Sequence, residues 1–424
     1  MPSIEAALKW MREEMGKVAE IAVSAPGRLD FLNTHQDYKG LPVVSVGVNL
    51  RTYALGALRE DDKVTIASRN LKEEGREYRD EFNVSGIKLK ERGWFGNYLR
   101  GAVIALKRRG ISIGGIDVAI WSDIPIGGGL GSSAALTVAF IGLLNEAYEL
   151  GLTKRDVAEL AYIAEHDILS IPCGRLDQYG SAYGGIIKIE VKPPYKVESI
   201  PFSSGNFVVL DSGIRHSTAE IHPRRQADIN EGLAALMNLP DLPGDLRSKL
   251  GLRYYEPLWE EIEEEEIAPF LVHIPERSAR RILYTIKVHK STELALRIMC
   301  GKEVNKDEVL EVLGERWRED IERAYLEKGA RRQMMLIGII MNQQHELMRD
   351  LYDLSLPELE RQRDAALRAG ALGVKISGAG LGGSLIALVE NESIGNEVLR
   401  AGIRAGAKRG WVVRIDDGLR KEPL

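Results

Sequence analysis

The sequence predicts an α+β fold with two lobes. Strand-like and helical segments occur in both halves of the 424-residue chain, and they do not follow the regular β-α-β order of a parallel sheet. A chain of this length can form two or three domains. Its 44% hydrophobic and 28% charged residues are typical of a globular protein.

Composition and charge exclude several classes of protein. The formal net charge of -5 argues against a dedicated nucleic-acid surface, which normally carries a basic excess. Only Cys173 and Cys300 are present, so neither a disulfide scaffold nor a cysteine-rich zinc site is expected. No segment resembles a signal peptide or approaches the roughly 20 apolar residues of a membrane span. We therefore expect a cytoplasmic protein without a membrane partner.

In the first half, helical and strand patterns alternate irregularly. Helical spacing predicts helices over 4–19, 97–109, 132–148 and 153–168, with Thr153 as an N-cap and Gly110 ending the second helix. Alternation and β-branched residues predict strands over 21–24, 51–57, 63–68 and 116–121, the first ending at Pro26.

The second half is mainly helical between two groups of strands. Strands are predicted over 186–191, 207–211, 384–389 and 411–415, and helices through 219–369 and over 397–408. We place the lobe boundary at residue 204, with lobes over 1–204 and 205–424 and a mainly helical insertion near 238–325. The acidic run over 260–266 is typical of an exposed helical surface.

Two glycine-rich turns stand out. The segment 125–135 joins a predicted strand to a long helix, where glycines allow close backbone approach and the first helical amides favour an anion. Ser132 and Ser133 can add hydroxyl contacts to phosphate or magnesium. The spacing matches neither a Walker loop nor the dinucleotide fingerprint. A tight connection without a ligand is the alternative, and 377–384 can likewise be a bulged turn.

Charged residues near these turns suit phosphoryl transfer. Of two carboxylates, Glu165 and Asp177, one can hold magnesium while the other accepts the proton of an attacking hydroxyl. Arg28, expected in a turn, can pair with a catalytic carboxylate and stabilise negative charge. His35 and Asp37 can bind sugar hydroxyls. Taken singly, each acid can equally be a surface residue or cap, and His35 a structural histidine.

Taken together, these motifs resemble the three motifs of the GHMP small-molecule kinases, and within that superfamily the galactokinase family. The three motifs lie at 26–38, 125–135 and 377–384. Further similarities follow in galactokinase order at Trp94 with 97–98, Glu165-His166, 172–178, 215–217, 341–345 and 354–359. The resemblance extends from Val23 to about Val389, except for roughly 238–325.

The resemblance implies a ribosomal-protein-S5-like N-terminal lobe that binds ATP and carries the catalytic residues, an α+β C-terminal lobe, and a cleft where ATP and sugar meet. Asp177 would be the catalytic base and Arg28 its electrostatic partner, while Ser133 and Glu165 would ligate Mg²⁺. The implied phosphate-binding residues are Gly127, Gly128, Gly129, Leu130, Gly131, Ser132 and Ser133. The implied sugar contacts are Thr34, His35, Asp37 and Gly174, and Trp94 and Asn97 would lie near the nucleotide.

The implied activity is phosphorylation of the anomeric hydroxyl of galactose or a galactose-like sugar by MgATP. Thr34 stands where galactokinases carry a glutamate, and no tyrosine follows 215–217. These departures open the hypothesis that the pocket tolerates C6-modified or uronic sugars, with Arg215, His216 or His222 supplying positive charge. Alternatives are an arabinose or uronic-acid kinase, a kinase for another alcohol such as mevalonate or homoserine, and a non-catalytic sugar sensor.

Overall fold

The computed structural model describes residues 4–215 and 218–424, without the side chains of 218–220. The chain forms two compact units. The first unit contains the residues up to Leu29 together with Ser45–Ile187 and Ile415–Leu424. The second unit contains Asp30–Val44 and Lys188–Arg414. Each unit is therefore assembled from separate stretches of the chain.

Helices and strands alternate irregularly along the sequence. The helices are α1 (Ile4–Met15), α2 (Arg69–Glu73), α3 (Asn97–Arg108), α4 (Ser132–Ala147), α5 (Lys154–Tyr162), α6 (Leu176–Tyr183), α7 (Thr218–Met237), α8 (Gly244–Lys249), α9 (Glu264–Leu271), α10 (Glu276–Met299), α11 (Lys306–Leu313), α12 (Arg318–Leu326), α13 (Gly329–Asp350), α14 (Pro357–Arg368) and α15 (Glu392–Arg404). The strands are β1 (Ile21–Leu32), β2 (Val43–Leu58), β3 (Lys63–Ser68), β4 (Arg79–Asn83), β5 (Ile116–Ser122), β6 (Ile186–Ile189), β7 (Val197–Ile200), β8 (Asn206–Asp211), β9 (Gly373–Ser377), β10 (Ser384–Val389), β11 (Arg409–Val413) and β12 (Arg420–Lys421).

The first unit is built on a mixed sheet with the strand order β12-β1-β2-β5-β3-β4. The pair β3–β5 is parallel, whereas β2–β5, β3–β4 and β1–β12 are antiparallel. Helix α1 buries Ala7, Trp10 and Met11 in a cluster that includes Leu55 and Ala119 of the sheet. Burying this apolar face is what holds an amphipathic helix on a sheet.

The second unit contains an antiparallel sheet with the order β11-β8-β10-β9. Strand β10 is buried at every position, because helices and neighbouring strands enclose it. Helix α13 approaches β9 very closely: a Cβ on Gly338 would lie 2.5 Å from the carbonyl oxygen of Leu372. Only glycine permits this approach of the two backbones.

The α+β fold is confirmed, as are most of its predicted elements. Helix α5 begins as predicted at Thr153, whose side chain accepts a hydrogen bond from the Asp156 amide in a capping box. Helix α15 begins earlier than predicted because Asn391 caps it through the Ile394 amide. Strands β4, β7, β9 and β12 were not predicted, since each spans only two to five residues.

The prediction that Arg28 lies in a turn is wrong, because β1 continues through Pro26 as far as Leu32. Every residue of β1 is buried, and other elements supply its hydrogen-bond partners. The Arg28 amide donates to the Leu130 carbonyl at 2.9 Å, and Ser181 Oγ donates to the Pro26 carbonyl at 2.7 Å. These tertiary contacts outweigh the local Pro-Gly turn signal.

The two compact units do not divide the chain at a single boundary at residue 204. Residues 30–44 and 188–204 lie in the second unit, and 415–424 lie in the first. The stretch 238–325 contains α8 to α12 and is integrated into the second unit, where the Tyr284 hydroxyl of α10 donates to the Thr34 carbonyl at 2.8 Å. The functional division into lobes over 1–204 and 205–424 stays a prediction.

Among residues 4–215 and 218–424, no helix combines the length and apolar character that crossing a bilayer requires.

The contact of α13 with β9 yields a stability prediction. Gly338→Ala should lower the free energy of unfolding by roughly 1–3 kcal/mol, because the added methyl must displace backbone atoms of Leu372, the residue directly before β9. Gly244→Ala is the matched control, since a Cβ there meets nothing within 4 Å. Urea denaturation of both variants measures the difference, and equal stabilities would contradict the close approach.

Candidate active site

The glycine-rich turn between β5 and α4 presents a helix N-terminus in the first unit. Gly127, Gly129 and Gly131 adopt positive φ angles of 70°, 74° and 69°. Gly131 directly precedes Ser132, the first residue of α4, and has no side chain to cap the helix. The first amides of α4 are therefore suited to bind an anion, which the helix dipole also favours.

Arg28 ties this turn to a carboxylate. Its Nε and Nη2 atoms lie 2.8 Å and 2.6 Å from Asp177 Oδ1, and its Nη1 donates to the Gly129 carbonyl at 2.7 Å. Asp177 belongs to the first turn of α6 and keeps 30% of its side chain exposed, against 11% for Arg28. The largely buried guanidinium therefore orients a carboxylate that remains accessible.

Two glycines make room for the Arg28 side chain. A Cβ on Gly131 would lie 3.2 Å from Arg28 Cγ, and a Cβ on Gly180 would lie 3.0 Å from Arg28 Cβ and 2.3 Å from Ser45 Oγ. Helix α6 can approach β1 and β2 only because position 180 lacks a side chain. The pairing of Arg28 with Asp177 depends on this approach.

Glu165 is a buried acid with an unsatisfied oxygen. It lies in a π-helical turn over Ile163–Ile168, a local irregularity often found at functional sites. Burial and, to a smaller extent, the negative charge of Asp177 raise the pKa of Glu165 to about 7, although hydrogen bonds from Gln178, Ser133 and Thr137 act in the opposite direction. Its Oε1 is buried and accepts no hydrogen bond from the described residues.

These features fit a divalent cation. The Ser133 hydroxyl and the Glu165 carboxylate are oxygen donors, which Mg²⁺ prefers. Ser133 belongs to the first turn of α4 and lies close enough to Glu165 to lower its pKa. A cation here would be a partner for Oε1, which accepts no hydrogen bond from the described residues, and its positive charge would favour the ionised carboxylate. The donor set thus suits the metal that the sequence implies.

A pocket of about 270 Å³ adjoins the start of α4 in the first unit. Its walls are mostly apolar, with a few polar groups that can orient a flat ligand. They include Leu71, Phe95, Tyr98, Leu99, Ile120, Ile126 and Leu136, together with Asn70, Ser122, Ser132 and Ser133. Its size and position suit the base of a nucleotide whose phosphates lie on the glycine-rich turn.

The sequence placed Trp94 and Asn97 on the nucleotide side, and their neighbours Phe95 and Tyr98 form the pocket wall. The Asn97 side chain instead holds the preceding loop, accepting from the Lys90 amide at 2.9 Å and donating to two loop carbonyls. The Trp94 ring stacks under Lys90, with Nζ 4.1 Å from the ring centroid. Sequence reasoning missed Asn70 and Phe95, which carry no recognisable motif.

In the second unit, Thr34 joins a buried polar cluster at the other glycine-rich turn. Its hydroxyl donates to Asp30 Oδ1 at 3.1 Å and accepts from Lys375 Nζ at 2.9 Å. The Gly378 amide donates to Asp30 Oδ2 at 3.2 Å. Lys375 is fully buried, and desolvation lowers its pKa to about 8 although Asp30 favours the charged form. Sequence analysis identified neither Asp30 nor Lys375 as members of this cluster.

His35 has both ring nitrogens engaged. Its Nε2 lies 3.0 Å from the Ala379 carbonyl, which can only accept, so Nε2 carries the proton and Nδ1 accepts from the Tyr38 hydroxyl at 3.3 Å. Burial, with a smaller effect of His222, holds the pKa of His35 well below its ordinary value. The two hydrogen bonds therefore fix the neutral ring in position. The backbone of His35 adopts a positive φ of 64°.

The remaining predicted sugar contacts lie in both units. Asp37 is half-buried in a short 3-10 turn, followed by the fully buried Lys39, whose Nζ donates to Thr285 Oγ1 at 2.9 Å. Gly174 is exposed in the first unit, three residues before Asp177. The structure therefore groups Thr34, His35 and Asp37 in one unit, and Gly174 with the Arg28–Asp177 pair in the other.

The basic residues proposed to attract a uronic carboxylate carry little available charge. Arg215 makes a two-pronged ion pair with Asp211, at 2.8 Å for each nitrogen. Burial lowers the pKa of His222 to about 4, so its ring is neutral at neutral pH. His216 lies outside the described residues.

Protein-family models match three parts of the chain. They are the GHMP kinases N terminal domain over residues 97–185, the GHMP kinases C terminal domain over 319–408 and the galactokinase galactose-binding signature over 12–58. The chain thus carries both domains of the GHMP kinases together with the galactose-binding signature of galactokinases. As a GHMP kinase, it is a phosphotransferase that acts on an alcohol group.

This chain is similar to individual galactokinases over nearly its whole length. It is 28% identical to a galactokinase of Thermococcus kodakarensis over 94% of this chain and 99% of the relative, and 27% identical to one of Pyrococcus furiosus over 95% and 99%. The structure of Lactococcus lactis galactokinase complexed with galactose matches with a TM-score of 0.75 at 23% identity, covering 99% and 100%. Methanococcus jannaschii mevalonate kinase matches less well, with a TM-score of 0.63 at 20% identity, covering 94% and 98%.

The buried Glu165 gives this kinase a pH-dependent stability. Its folded pKa of about 7 exceeds the ordinary value of 4.5, so between these values the folded state binds more protons and stability falls as pH rises. Relative to Glu165→Gln, which is uncharged at every pH, the wild type should lose roughly 1–3 kcal/mol across this window.

Urea denaturation at about pH 5 and about pH 8, with a chelator present, tests this expectation. The exposed Glu60→Gln is the control and should change stability equally at both pH values. If the difference in stability between Glu165→Gln and the wild type is the same at both pH values, the raised pKa of a buried, metal-free Glu165 is wrong.

Proposed function

We propose that the protein transfers the γ-phosphate of MgATP to the anomeric hydroxyl of galactose or a closely similar neutral sugar. The observation that carries the proposal is the Arg28–Asp177 pair, which is anchored to the carbonyl of Gly129 in the glycine-rich turn. A carboxylate oriented beside an anion-binding loop can serve an attacking hydroxyl and a phosphate together. The curated relatives are galactokinases, which supports a sugar as the acceptor.

The first unit has the groups needed to bind ATP. We assign the phosphates to residues 127–133, whose amides and serine hydroxyls can bind an anion at the start of α4. The adenine would occupy the adjacent pocket lined by Phe95, Tyr98 and Ile126. Ser133 and Glu165 would hold Mg²⁺. When bound, the cation neutralises the phosphate charge that develops during transfer.

In this proposal Asp177 accepts the proton of the sugar hydroxyl, or stabilises positive charge as that proton leaves. Arg28 holds the carboxylate by two nitrogens, which fixes its orientation and limits unproductive rotamers. The same guanidinium is close enough to the Gly129 carbonyl to fix the loop. A planar fork is needed for these simultaneous contacts, and lysine lacks it.

The sugar subsite favours a neutral ligand. The Thr34 hydroxyl is already engaged with Asp30 and Lys375, so it offers little capacity to bind a further group. Arg215 is paired, and His35 and His222 are neutral, so these residues offer little attraction for a carboxylate at C6. Galactose is therefore preferred over galacturonic acid as the proposed substrate. The presence of Arg28, Glu165 and Asp177 together supports an enzyme over a non-catalytic sensor.

The test of the activity is ADP release from MgATP with a panel of sugars, followed by NMR of the product to locate the phosphate. Asp177→Asn should lower kcat by roughly 10²–10⁴, because the amide cannot accept the hydroxyl proton. The exposed Asp167→Asn serves as the control and should keep normal turnover. Near-normal turnover of Asp177→Asn, or phosphate on another hydroxyl, would refute the assignment.

The metal assignment predicts a separate effect of Ser133. Ser133→Ala removes one oxygen ligand and should raise the Mg²⁺ concentration for half-maximal activity several-fold. Ser132→Ala, one residue earlier, should change the KM for ATP more than the Mg²⁺ requirement. An unchanged Mg²⁺ dependence in Ser133→Ala would show that the metal is held by other groups.

The sugar assignment predicts that Thr34 acts through its hydroxyl. Thr34→Val keeps the shape but leaves the buried Asp30 and Lys375 without their bridge, so kcat/KM for galactose should fall by about tenfold, with the KM for ATP unchanged. Thr34→Ser should restore most of the loss. We also expect the wild type to favour galactose over galacturonic acid and arabinose. A preference for galacturonic acid would instead support the uronic-acid hypothesis.

A further inference from the structure

A second cavity lies in the second unit, outside the groups assigned to catalysis. The α10–α13 groove, as we name it, has a volume of about 600 Å³ and runs between these helices. Residues from 259–265 and 308–317 also line it. None of the catalytic or sugar-binding residues proposed above forms its wall. The groove lies largely in the stretch 238–325, to which the sequence assigned no role.

Gln343 is the feature that points to a ligand. It lies on the groove wall and is only 6% exposed, yet its Oε1 accepts no hydrogen bond from the described part of the chain. A buried carbonyl oxygen without a donor destabilises the fold unless a ligand or water supplies one. The group that best fits this position is therefore an N–H or O–H donor.

The charge of the groove selects a cation. Nine carboxylates line it, against four permanently charged bases. Each base is already paired with a carboxylate of the groove: the pairs are Lys287–Glu264, Lys290–Glu263, Arg297–Glu308 and Arg316–Glu346. The one histidine, His289, adds no charge at neutral pH, because burial lowers its pKa to about 4. An anion would thus meet uncompensated carboxylates.

The shape and walls favour an organic cation over a metal ion. Among the described residues, no cluster of three or more His, Cys, Asp or Glu side chains is arranged to hold a metal. Leu294, Val312 and Leu347 contribute apolar surface along the groove, as do Trp259 and Trp317. Both tryptophans are at least nine-tenths buried, so they offer edges and not the open faces on which a sugar ring stacks.

We infer that the α10–α13 groove binds a linear aliphatic polyamine. One ammonium group donates to Gln343 Oε1, others pair with the acidic rim that includes Glu260 and Glu311, and the methylene chain lies along the apolar wall. An ammonium group can supply the donor that Gln343 Oε1 lacks, and it can also pair with the excess carboxylates. The methylene groups between the ammonium groups can pack on the apolar wall. The inference is independent of the kinase activity.

Titration calorimetry of the full-length protein with spermidine tests the inference, at about 150 mM NaCl and without nucleotide, because polyamines also bind phosphates. We expect saturable one-site binding. Gln343→Met keeps the side-chain length and removes the acceptor, so it should weaken the Kd at least tenfold while leaving the Tm of the free protein no lower. The double variant Glu260→Gln/Glu311→Gln should weaken the Kd several-fold and reduce its salt dependence.

The exposed Glu397→Gln, on α15 outside the groove, is the matched control and should bind spermidine as the wild type does. Absence of saturable binding would overturn the inference, as would an unchanged Kd in both groove variants. Displacement of spermidine by an equal concentration of Mg²⁺ would also overturn it, since it would indicate a non-specific response to cations.

Discussion

The first unit depends on one buried guanidinium. Arg28 joins strand β1, the glycine-rich turn and helix α6, because it contacts Gly129 and Asp177 with different nitrogens. Its position is possible only where Gly131 and Gly180 leave space for it. Breaking a largely buried ion pair leaves an uncompensated charge, which is strongly unfavourable. The same contact therefore holds the turn in shape and orients the carboxylate that we propose as the catalytic base.

A second constraint is the burial of Glu165. The carboxyl has few donors of its own, and burial raises its pKa to about 7. A protein selected for stability alone would place an apolar residue or a glutamine here. In the proposed function, Mg²⁺ would supply positive charge beside this carboxylate and favour its ionised form. Metal binding would then also stabilise the fold of the first unit.

In the second unit, the polar groups at the proposed sugar subsite are already hydrogen-bonded. Thr34, His35 and Lys375 are hydrogen-bonded within the unit, and His35 is held neutral by burial. Such a preformed surface offers a fixed hydrogen-bond geometry, since few of its groups can rearrange to suit another ligand. The α10–α13 groove contrasts with it, because Gln343 Oε1 accepts no hydrogen bond from the described residues and acidic side chains outnumber basic ones in its lining. The two places therefore suit ligands of different charge.

The sequence by itself determined the α+β class, most helices, the two glycine-rich turns and the family, because periodicity, glycine spacing and short motifs are local properties. It also singled out Asp177 as the catalytic base, Arg28 as its partner and Glu165 as a magnesium ligand, and these roles stay predictions. Only the tertiary structure decided that Arg28 lies in a strand, that Phe95 lines the pocket where Asn97 was expected, and that Thr34 is engaged by Asp30 and Lys375. Those outcomes depend on contacts between residues far apart in the chain, such as 34 with 375, and no local pattern encodes such contacts.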